Sequence, residues 1–406
     1  MVLKVEKIID YLFVLYIIAT IIFPTSIIGK FIQLLFVFGS LILISINKIR
    51  ITKFNILDLL FLIFTIIQYI SGIAVMKSSS LSTSVTLFYN FLFSLAIVNY
   101  LLKKDDLTEF SELYAKTTLF SLIMLLLIYR TNLSSGRFDT SNVLYFVGGH
   151  SATSLSIIAA IPCFFLILFG ENKKFKKNII IVLILFIISI LTGTRKTLII
   201  FALIFLIVIP LRNKKINFYK VLKILIFSLI IAAIFLVMCF KNAMLYNIIG
   251  KRVEGVIYSV NIETNKIEDD SLRVRKRMIL QAKTLISKKK YFGWGMDYFR
   301  SSKQNNLGYY SHNNFYEILI GGGIFGFIIY YLKYILLALS IFNLRKENKN
   351  MCFFLLLFFV IMVIIEYWQV TYIYRFILIY QSILISIIYR FKNNKKIVRG
   401  GEDNEN

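Results

Sequence analysis

Residues Ile179 to Pro210 read IIIVLILFIISILTGTRKTLIIFALIFLIVIP, an apolar run with a single polar break at Thr192-Gly193-Thr194-Arg195-Lys196-Thr197. About 20 apolar residues cross a bilayer as a helix, and somewhat fewer suffice for short helices packed inside a bundle. The run therefore predicts two membrane helices joined by a tight turn. Helices are the only sensible elements here, because backbone N–H and C=O groups in lipid must find their partners within the segment.

The same pattern extends along the chain in both directions. Its 406 residues are 58% hydrophobic and the mean hydropathy is +0.76, far above the apolar share of a soluble globular protein. Apolar segments recur at roughly 8–28, 31–47, 55–75, 84–102, 112–129, 151–169, 178–193, 196–211, 221–240, 315–343, 351–369 and 372–390. The predicted fold class is an all-α polytopic membrane protein with about 12 transmembrane helices and one large extracytoplasmic loop between helices 9 and 10. Residues 1–240 hold the first nine helices, 241–314 the loop, 315–391 the last three, and 392–406 a polar tail with the composition of a disordered segment. Cys163, Cys239 and Cys352 all lie in apolar segments. They read as small core residues, with no disulfide or zinc spacing.

The net charge of +26 does not point to nucleic acid, because the basic residues punctuate the apolar blocks instead of gathering in one domain with interleaved aromatics. They fit the positive-inside rule. With a cytoplasmic N terminus, the inside segments are Met1–Lys7, Asn47–Lys53, Lys103–Ser111, Glu171–Lys177, Arg212–Lys220, Leu344–Asn350 and the tail from Phe391, nearly all basic. The short outside connections at Pro24–Lys30, Met76–Thr83, Gly193–Lys196 and Val370–Thr371 carry few positive charges. Both termini are thus expected in the cytoplasm and the loop outside.

That loop is where water-soluble chemistry belongs. Its segment Ser271 to Lys290 has helical periodicity, with Leu272, Val274, Met278, Ile279, Ala282, Leu285 and Ile286 on one apolar arc. Arg273, Lys276, Arg277 and Lys283 fall outside the arc, as in a basic amphipathic helix lying on a membrane. Arg275 falls in the middle of it. A guanidinium on a buried face is costly unless it meets an anion, which makes Arg275 a candidate phosphate ligand. Arg195 and Lys196, in the tight turn, read either as charges snorkelling to the interface or as cations set at the mouth of the bundle for a diphosphate or lipid headgroup.

Further along, Gly293-Trp294-Gly295 permits close backbone approach, although Gly-rich turns are common loop punctuation. Tyr310-Ser311-His312-Asn313-Asn314 then leads into the tenth helix. An imidazole is a side chain that can take or give a proton near neutral pH, which makes His312 informative here, and Ser311, Asn313 or Asn314 is suited to cap the helix. His150, after Gly148-Gly149, is also outside. Gly321-Gly322-Gly323 with Gly326 reads as a close helix-packing surface. Glu366 lies deep enough in the membrane to require a partner, for which an outward-facing Arg or Lys is the candidate. Trp294, Tyr298, Tyr309, Tyr310 and Tyr316 suit sugar stacking or interfacial anchoring.

In order and spacing, these residues resemble the O-antigen ligase and polymerase family of membrane glycosyltransferases, whose Wzy-type members polymerise surface polysaccharides. The resemblance is carried by Gly193-Thr194-Arg195, Ser271 with Arg275, Tyr291-Phe292-Gly293-Trp294-Gly295, Ser311-His312-Asn313-Asn314 and the glycines through Gly326. Arg275 precedes Gly293 by eighteen residues, the family interval. The family's proline before that turn is replaced by Lys290-Tyr291, and its Ser-x-Arg in the earlier turn is Thr-x-Arg here. The specific part covers roughly 190–330.

The resemblance implies transfer of a glycan from a polyprenyl-diphosphate-linked oligosaccharide to a sugar hydroxyl at the outer face of a bacterial cytoplasmic membrane. It implies no cofactor and no metal. Arg195 and Arg275 would hold the diphosphate, with Lys196, Arg273, Arg277, Gly293 and Gly295 lining the substrate site. His312 would act as base or orienting group, with Asn313 or Asn314 bonding sugar. A flippase and a chain-length regulator of the same pathway are the candidate partners besides substrate and bilayer, and no nucleic acid is implied. A polymerase is the first expectation, a ligase acting on finished glycan the second, and a lipid-oligosaccharide flippase or transporter the rival from another class.

Overall fold

The computed structural model describes residues 2–46, 56–131 apart from 77, 105 and 106, 138–212 apart from 143, 145 and 146, scattered positions between 219 and 246, 270–302 and 310–392. The long helices among them are α1 (Val2–Ile22), α2 (Ile27–Ile46), α3 (Ile56–Val75), α4 (Ser78–Lys103), α5 (Thr108–Ile128), α6 (Ala152–Phe169), α7 (Phe175–Leu191) and α8 (Arg195–Leu203). There follow α9 (Asp270–Lys288), the short α10 (Tyr298–Ser301), α11 (Asn314–Asn343), α12 (Lys349–Trp368) and α13 (Arg375–Lys392). α8 continues through a π-helical turn, Ile204–Val208, to Leu211. That turn lies just before Pro210, which has no N–H to offer a regular helix. No strand occurs among the described residues.

Six of the described helices, α3 to α6, α11 and α12, are long and apolar enough to cross a membrane. α1, α2, α7, α8 and α13 occupy further apolar segments singled out in the sequence. The segment predicted at 221–240 and most of the loop up to 269 lie outside the described residues, although the described positions from 219 to 241 are helical.

α6 is apolar on every side apart from small hydroxyls, and nearly all of it is buried. A helix without a polar face belongs in the interior. It packs against α5, α7, α8 and α13, while α11 packs against α3, α12 and α9, and α1 against α2 and α5. Aromatic rings fill the contacts: Tyr16 stacks on Phe93 at 4.4 Å, and Phe164 on Phe358 at 3.9 Å. Lipid is as apolar as leucine, so such packing and buried polar bonds must hold the helices together. Arg390, fully buried, donates to the carbonyls of Leu101 and Lys104 at the end of α4. Arg212 likewise donates to the Gly170 carbonyl after α6. Both place a cation on the orphan carbonyls of a helix C terminus.

The connections collect at two ends. Lys104 meets Asp10 at 2.7 Å, and Thr108 bonds the Phe169 carbonyl at 3.1 Å, at the end that carries Arg212 and Arg390. At the other end Gly148 N–H bonds the Ile22 carbonyl at 2.9 Å, Phe138 N–H bonds the Leu191 carbonyl at 2.7 Å, and Ser71 bonds the Phe292 carbonyl at 2.5 Å. The candidate site residues lie at this second end.

Candidate functional site

α11 is broken at Gly323, whose φ of 60° and ψ of −161° no residue with a side chain adopts readily. The break leaves helical carbonyls without partners, and the glycine turn takes them up. Trp294 and Gly295 donate to the carbonyls of Ile320 and Gly321, each at 2.8 Å. In return Ile324 and Phe325 donate to the carbonyls of Lys290 and Tyr291, at 2.8 and 3.3 Å. Gly293 and Gly295 have φ of 69° and 82°. A Cβ on Gly293 would come within 2.5 Å of the Ile320 and Gly321 carbonyl oxygens, and one on Gly295 within 2.9 Å of Gly72 on α3. The expectation of close approach therefore holds, but the backbone approached is the protein's own α11 and α3. The glycines of α11 do more than pack, too. Gly326 faces α3, with Gln68 and Phe64 beside it, while Gly323 breaks the helix.

The His312 turn is fastened to the start of the same helix. His312 sits exposed in the left-handed region at φ 56°. Asn313 proves to be the cap, its side-chain oxygen accepting from Tyr316 N–H at 3.2 Å. Glu317, one turn into α11 and 1% exposed, reaches back to accept the Ser311 N–H at 2.6 Å, and the Ser311 hydroxyl donates to the Asn313 carbonyl. Sequence reasoning passed over Glu317, although an acidic residue in the first turn after a helix cap is a recognisable signal.

Asn314 is fully buried and turned into the protein. Its oxygen accepts the N–H groups of Thr371 and Tyr372 at 2.9 and 3.2 Å, and its nitrogen donates to Glu366 at 3.2 Å. The sugar-binding role expected of Asn314 meets a side chain already engaged at both ends. Glu366 corrects a second expectation. Its direct partners are neutral: Tyr334 at 2.5 Å, Thr371 at 2.7 Å, Tyr331 at 3.1 Å and Asn314. Lys333 is hydrogen-bonded to this group only through a relay, donating to Gln381 at 2.7 Å, which donates to Tyr334 at 2.6 Å. Hydroxyls and an amide satisfy a carboxylate as well as an arginine does, without a second buried charge.

α9 forms as its periodicity predicts, but its apolar face does not rest on lipid. Met278, Ala282 and Leu285 are buried with Phe299 and Ile320, and Val274, Ile286, Trp294, Tyr298 and Tyr316 pack around them. The amphipathic helix lies on α11. Arg277 and Lys283 are exposed, as expected of the outer face. The Arg275 backbone lies one turn before Met278, at a position shared with the packed face. The side chains of Arg273, Arg275 and Lys276 are outside the described residues. Trp294 is spent on structure: its ring nitrogen donates to the Leu285 carbonyl at 3.0 Å, and it stacks on Tyr298 at 4.7 Å. Tyr309 lies outside the described residues.

The tight turn before α8 is held by hydroxyls. Thr192 bonds the Ser189 carbonyl at 2.7 Å, Ser189 bonds Thr197 at 3.1 Å, and Thr194 lies 3.0 Å from both Thr192 and Thr197. Gly193 supplies the positive φ of 64°. Arg195 and Lys196 thereby become the first two residues of α8, where the helix dipole favours an anion nearby. Their side chains are outside the described residues.

Beside the His312 turn, Arg300 pairs with the buried Asp297 at 2.7 Å and lies 5.0 Å from the Tyr310 ring centre. Burial pushes the Tyr310 and Tyr372 phenols above their ordinary range, so both remain donors. His150 has its Nε2 3.0 Å from the Thr20 carbonyl, and burial lowers its pKa to about 4. Of the two histidines, only His312 is exposed.

A helical bundle with apolar helices of membrane-crossing length defines a multi-pass membrane protein. The O-antigen ligase family model matches residues 179–331, from α7 to the middle of α11. That match supports an O-antigen ligase/polymerase-type family for this chain, and with it a membrane enzyme that transfers glycan. No curated protein matches the chain.

Proposed function

We propose that the chain is a membrane glycosyltransferase that polymerises polyprenyl-diphosphate-linked oligosaccharide units into a surface polysaccharide at the outer face of the cytoplasmic membrane. One observation carries this reading: the glycine turn and the His312 turn are both fastened to the first turns of α11, inside the family-matched segment. From Asn314 to Gly321 the helix rises only about 10 Å. By the positive-inside rule the opposite, basic end faces the cytoplasm, which puts this site outside.

In the transfer the acceptor hydroxyl oxygen bonds to the donor's anomeric carbon as the bond from that carbon to the diphosphate breaks. His312 takes or orients the hydroxyl proton, and the diphosphate leaves with the bonding electron pair on its lipid. Arg195, at the start of α8, and Arg275, on α9, offset the charge that builds on the leaving group. Two guanidinium groups suit a diphosphate because each offers paired N–H donors in fork geometry.

A ligase that passes finished glycan to another acceptor is the second reading, favoured by the description of the matching family model. Deleting the gene and separating the surface glycan by size tests both. Single repeat units support the polymerase, and unattached long chains support the ligase. Lipid-linked units trapped inside the cell would refute both in favour of a flippase.

A further inference from the structure

Arg375 opens α13 where the connection after α12 turns back into the bundle. Its guanidinium donates to the Gln33 side-chain oxygen and lies 5.3 Å from the centre of the Tyr89 ring. No carboxylate pairs with it among the described residues. A partly buried arginine surrounded by neutral groups lacks the compensation such a charge normally requires.

Its surroundings are rich in unused donors. The Gln33 side-chain nitrogen and the Tyr89 hydroxyl are buried without hydrogen-bond partners, and the Tyr16 and Thr20 hydroxyls have none beyond each other. Gln33 is 1% exposed, Tyr16 0% and Thr20 3%. Arg375 acts electrostatically on both Tyr16 and Tyr89, which places the group together. One cation with a buried amide nitrogen and hydroxyls, and no acid among the described residues, is the donor set of an anion site. It does not resemble a failed ion pair.

Depth and location narrow the anion. Thr20, Tyr16 and Gln33 lie two to six residues from the ends of α1 and α2 at the glycine-turn end, or roughly 3–9 Å down the helices. That is headgroup depth. Arg375 follows Tyr372 by three residues, and Tyr372 N–H is bonded to Asn314. The chain between Tyr372 and Arg375 spans at most about 11 Å. The group therefore adjoins the start of α11, next to the His312 turn.

We propose that Arg375, with Gln33, Tyr16 and Tyr89, holds the phosphate of a second polyprenyl-diphosphate-linked sugar, the one whose hydroxyl accepts the glycan. The inference rests on the transfer reading above and extends it to the acceptor. Moving a glycan between two lipid-linked sugars brings two diphosphates to one membrane face. The donor's diphosphate leaves and needs charge stabilisation in the transition state, the part given to Arg195 and Arg275. The acceptor's diphosphate stays intact and needs only to be held, which a fixed arginine among neutral donors does.

The test counts lipids on the purified full-length protein by native mass spectrometry, with sugar-free polyprenyl diphosphate as the probe and phosphatidylglycerol as its competitor. Two bound diphosphates are expected on the wild type. Arg375→Gln should weaken the second at least tenfold, Tyr89→Phe should weaken it less, and Arg375→Lys should restore it in part. Tyr89→Phe removes only a hydroxyl and guards against misfolding of the arginine variant. Two diphosphates retained by Arg375→Gln would overturn the inference, as would a single one on both wild type and variant, while the transfer reading stands. Equal displacement by phosphatidylglycerol would also overturn it, marking an ordinary lipid-headgroup site. No diphosphate bound to the wild type would remove the transfer reading itself.

Discussion

Replacing Gly323 by alanine attacks the joint on which the site depends. At φ 60° and ψ −161° the backbone is in territory nearly reserved for glycine, and forcing another residue there costs roughly 1–3 kcal/mol. The added methyl would also collide with the Tyr291 carbonyl and come within 2.7 Å of Phe292 N. Those atoms are backbone and cannot swing aside. Relief requires the glycine turn to move off the helix, with loss of up to four backbone hydrogen bonds at about 1 kcal/mol each. With all four bonds lost the sum, roughly 5–7 kcal/mol, exceeds what a local shift absorbs, so the turn should detach while the rest of the bundle stays folded. Limited trypsin digestion should then cut at Lys288, Lys289 or Lys290, and the surface glycan should shorten to single units at normal protein level. Gly39→Ala is the control: it lies inside α2 and meets only the tip of Leu12, at 3.3 Å. A Gly323→Ala protein that resists trypsin as the wild type does and builds full-length polymer would refute the reasoning.

Three other outcomes are expected. Arg195→Ala, Arg275→Ala and His312→Ala should each abolish long polymer without lowering membrane expression; normal glycan length on a gel at equal protein level would remove that residue from the mechanism. Asn314→Leu leaves the buried N–H groups of Thr371 and Tyr372 without an acceptor and should destabilise by about 2–4 kcal/mol, against about 1 kcal/mol for the cap variant Asn313→Ala, as read from thermal unfolding in detergent. If Asn314→Leu loses activity with unchanged stability, Asn314 contacts substrate after all. The third concerns pH. His150 has an ordinary pKa of 6.5 and a folded value of about 4, so between these the unfolded chain binds the extra proton and stability falls as pH drops. The full effect is about 3 kcal/mol by pH 4. His150→Gln should flatten that part of the melting profile, and an unchanged slope would show that His150 does not cause it.

The helices were legible because lipid leaves so few choices. A run such as Ile179–Pro210 has nothing to do but form helix, and its single break falls where the turn is found. The motif residues were legible as an ordered set, but their partners were not. Nothing in the spacing of Gly293 and Gly295 shows that the backbone they admit belongs to α11, since that depends on Gly323 breaking a helix that reads as continuous. Glu366 misled for a related reason. Its partners come from α11 and the connection after α12, far apart in sequence, and each is neutral. Arg375 escaped notice because an arginine at the end of an apolar run is what the membrane interface ordinarily selects; only its neighbours' unused donors set it apart.

This difference bears on how the site is built. Residues that read as chemistry, Arg195, Arg275 and His312, stand on three separate supports: the hydroxyl-tied turn before α8, the packed face of α9, and the capped start of α11. The supports that are described use no charged pair of their own. The turn uses threonines, α9 uses apolar packing, and Asn314 and Glu366 tie α11 to the α12–α13 connection through neutral donors. The carboxylates that brace this end, Glu317 and Glu366, take backbone N–H, hydroxyl and amide donors instead of an arginine; a carboxylate placed to brace an arginine would compete with a diphosphate for it. Arg300, paired with Asp297, shows the contrast. Its charge is answered within the protein, and it is therefore a poor candidate for phosphate, whereas no carboxylate among the described residues answers Arg375.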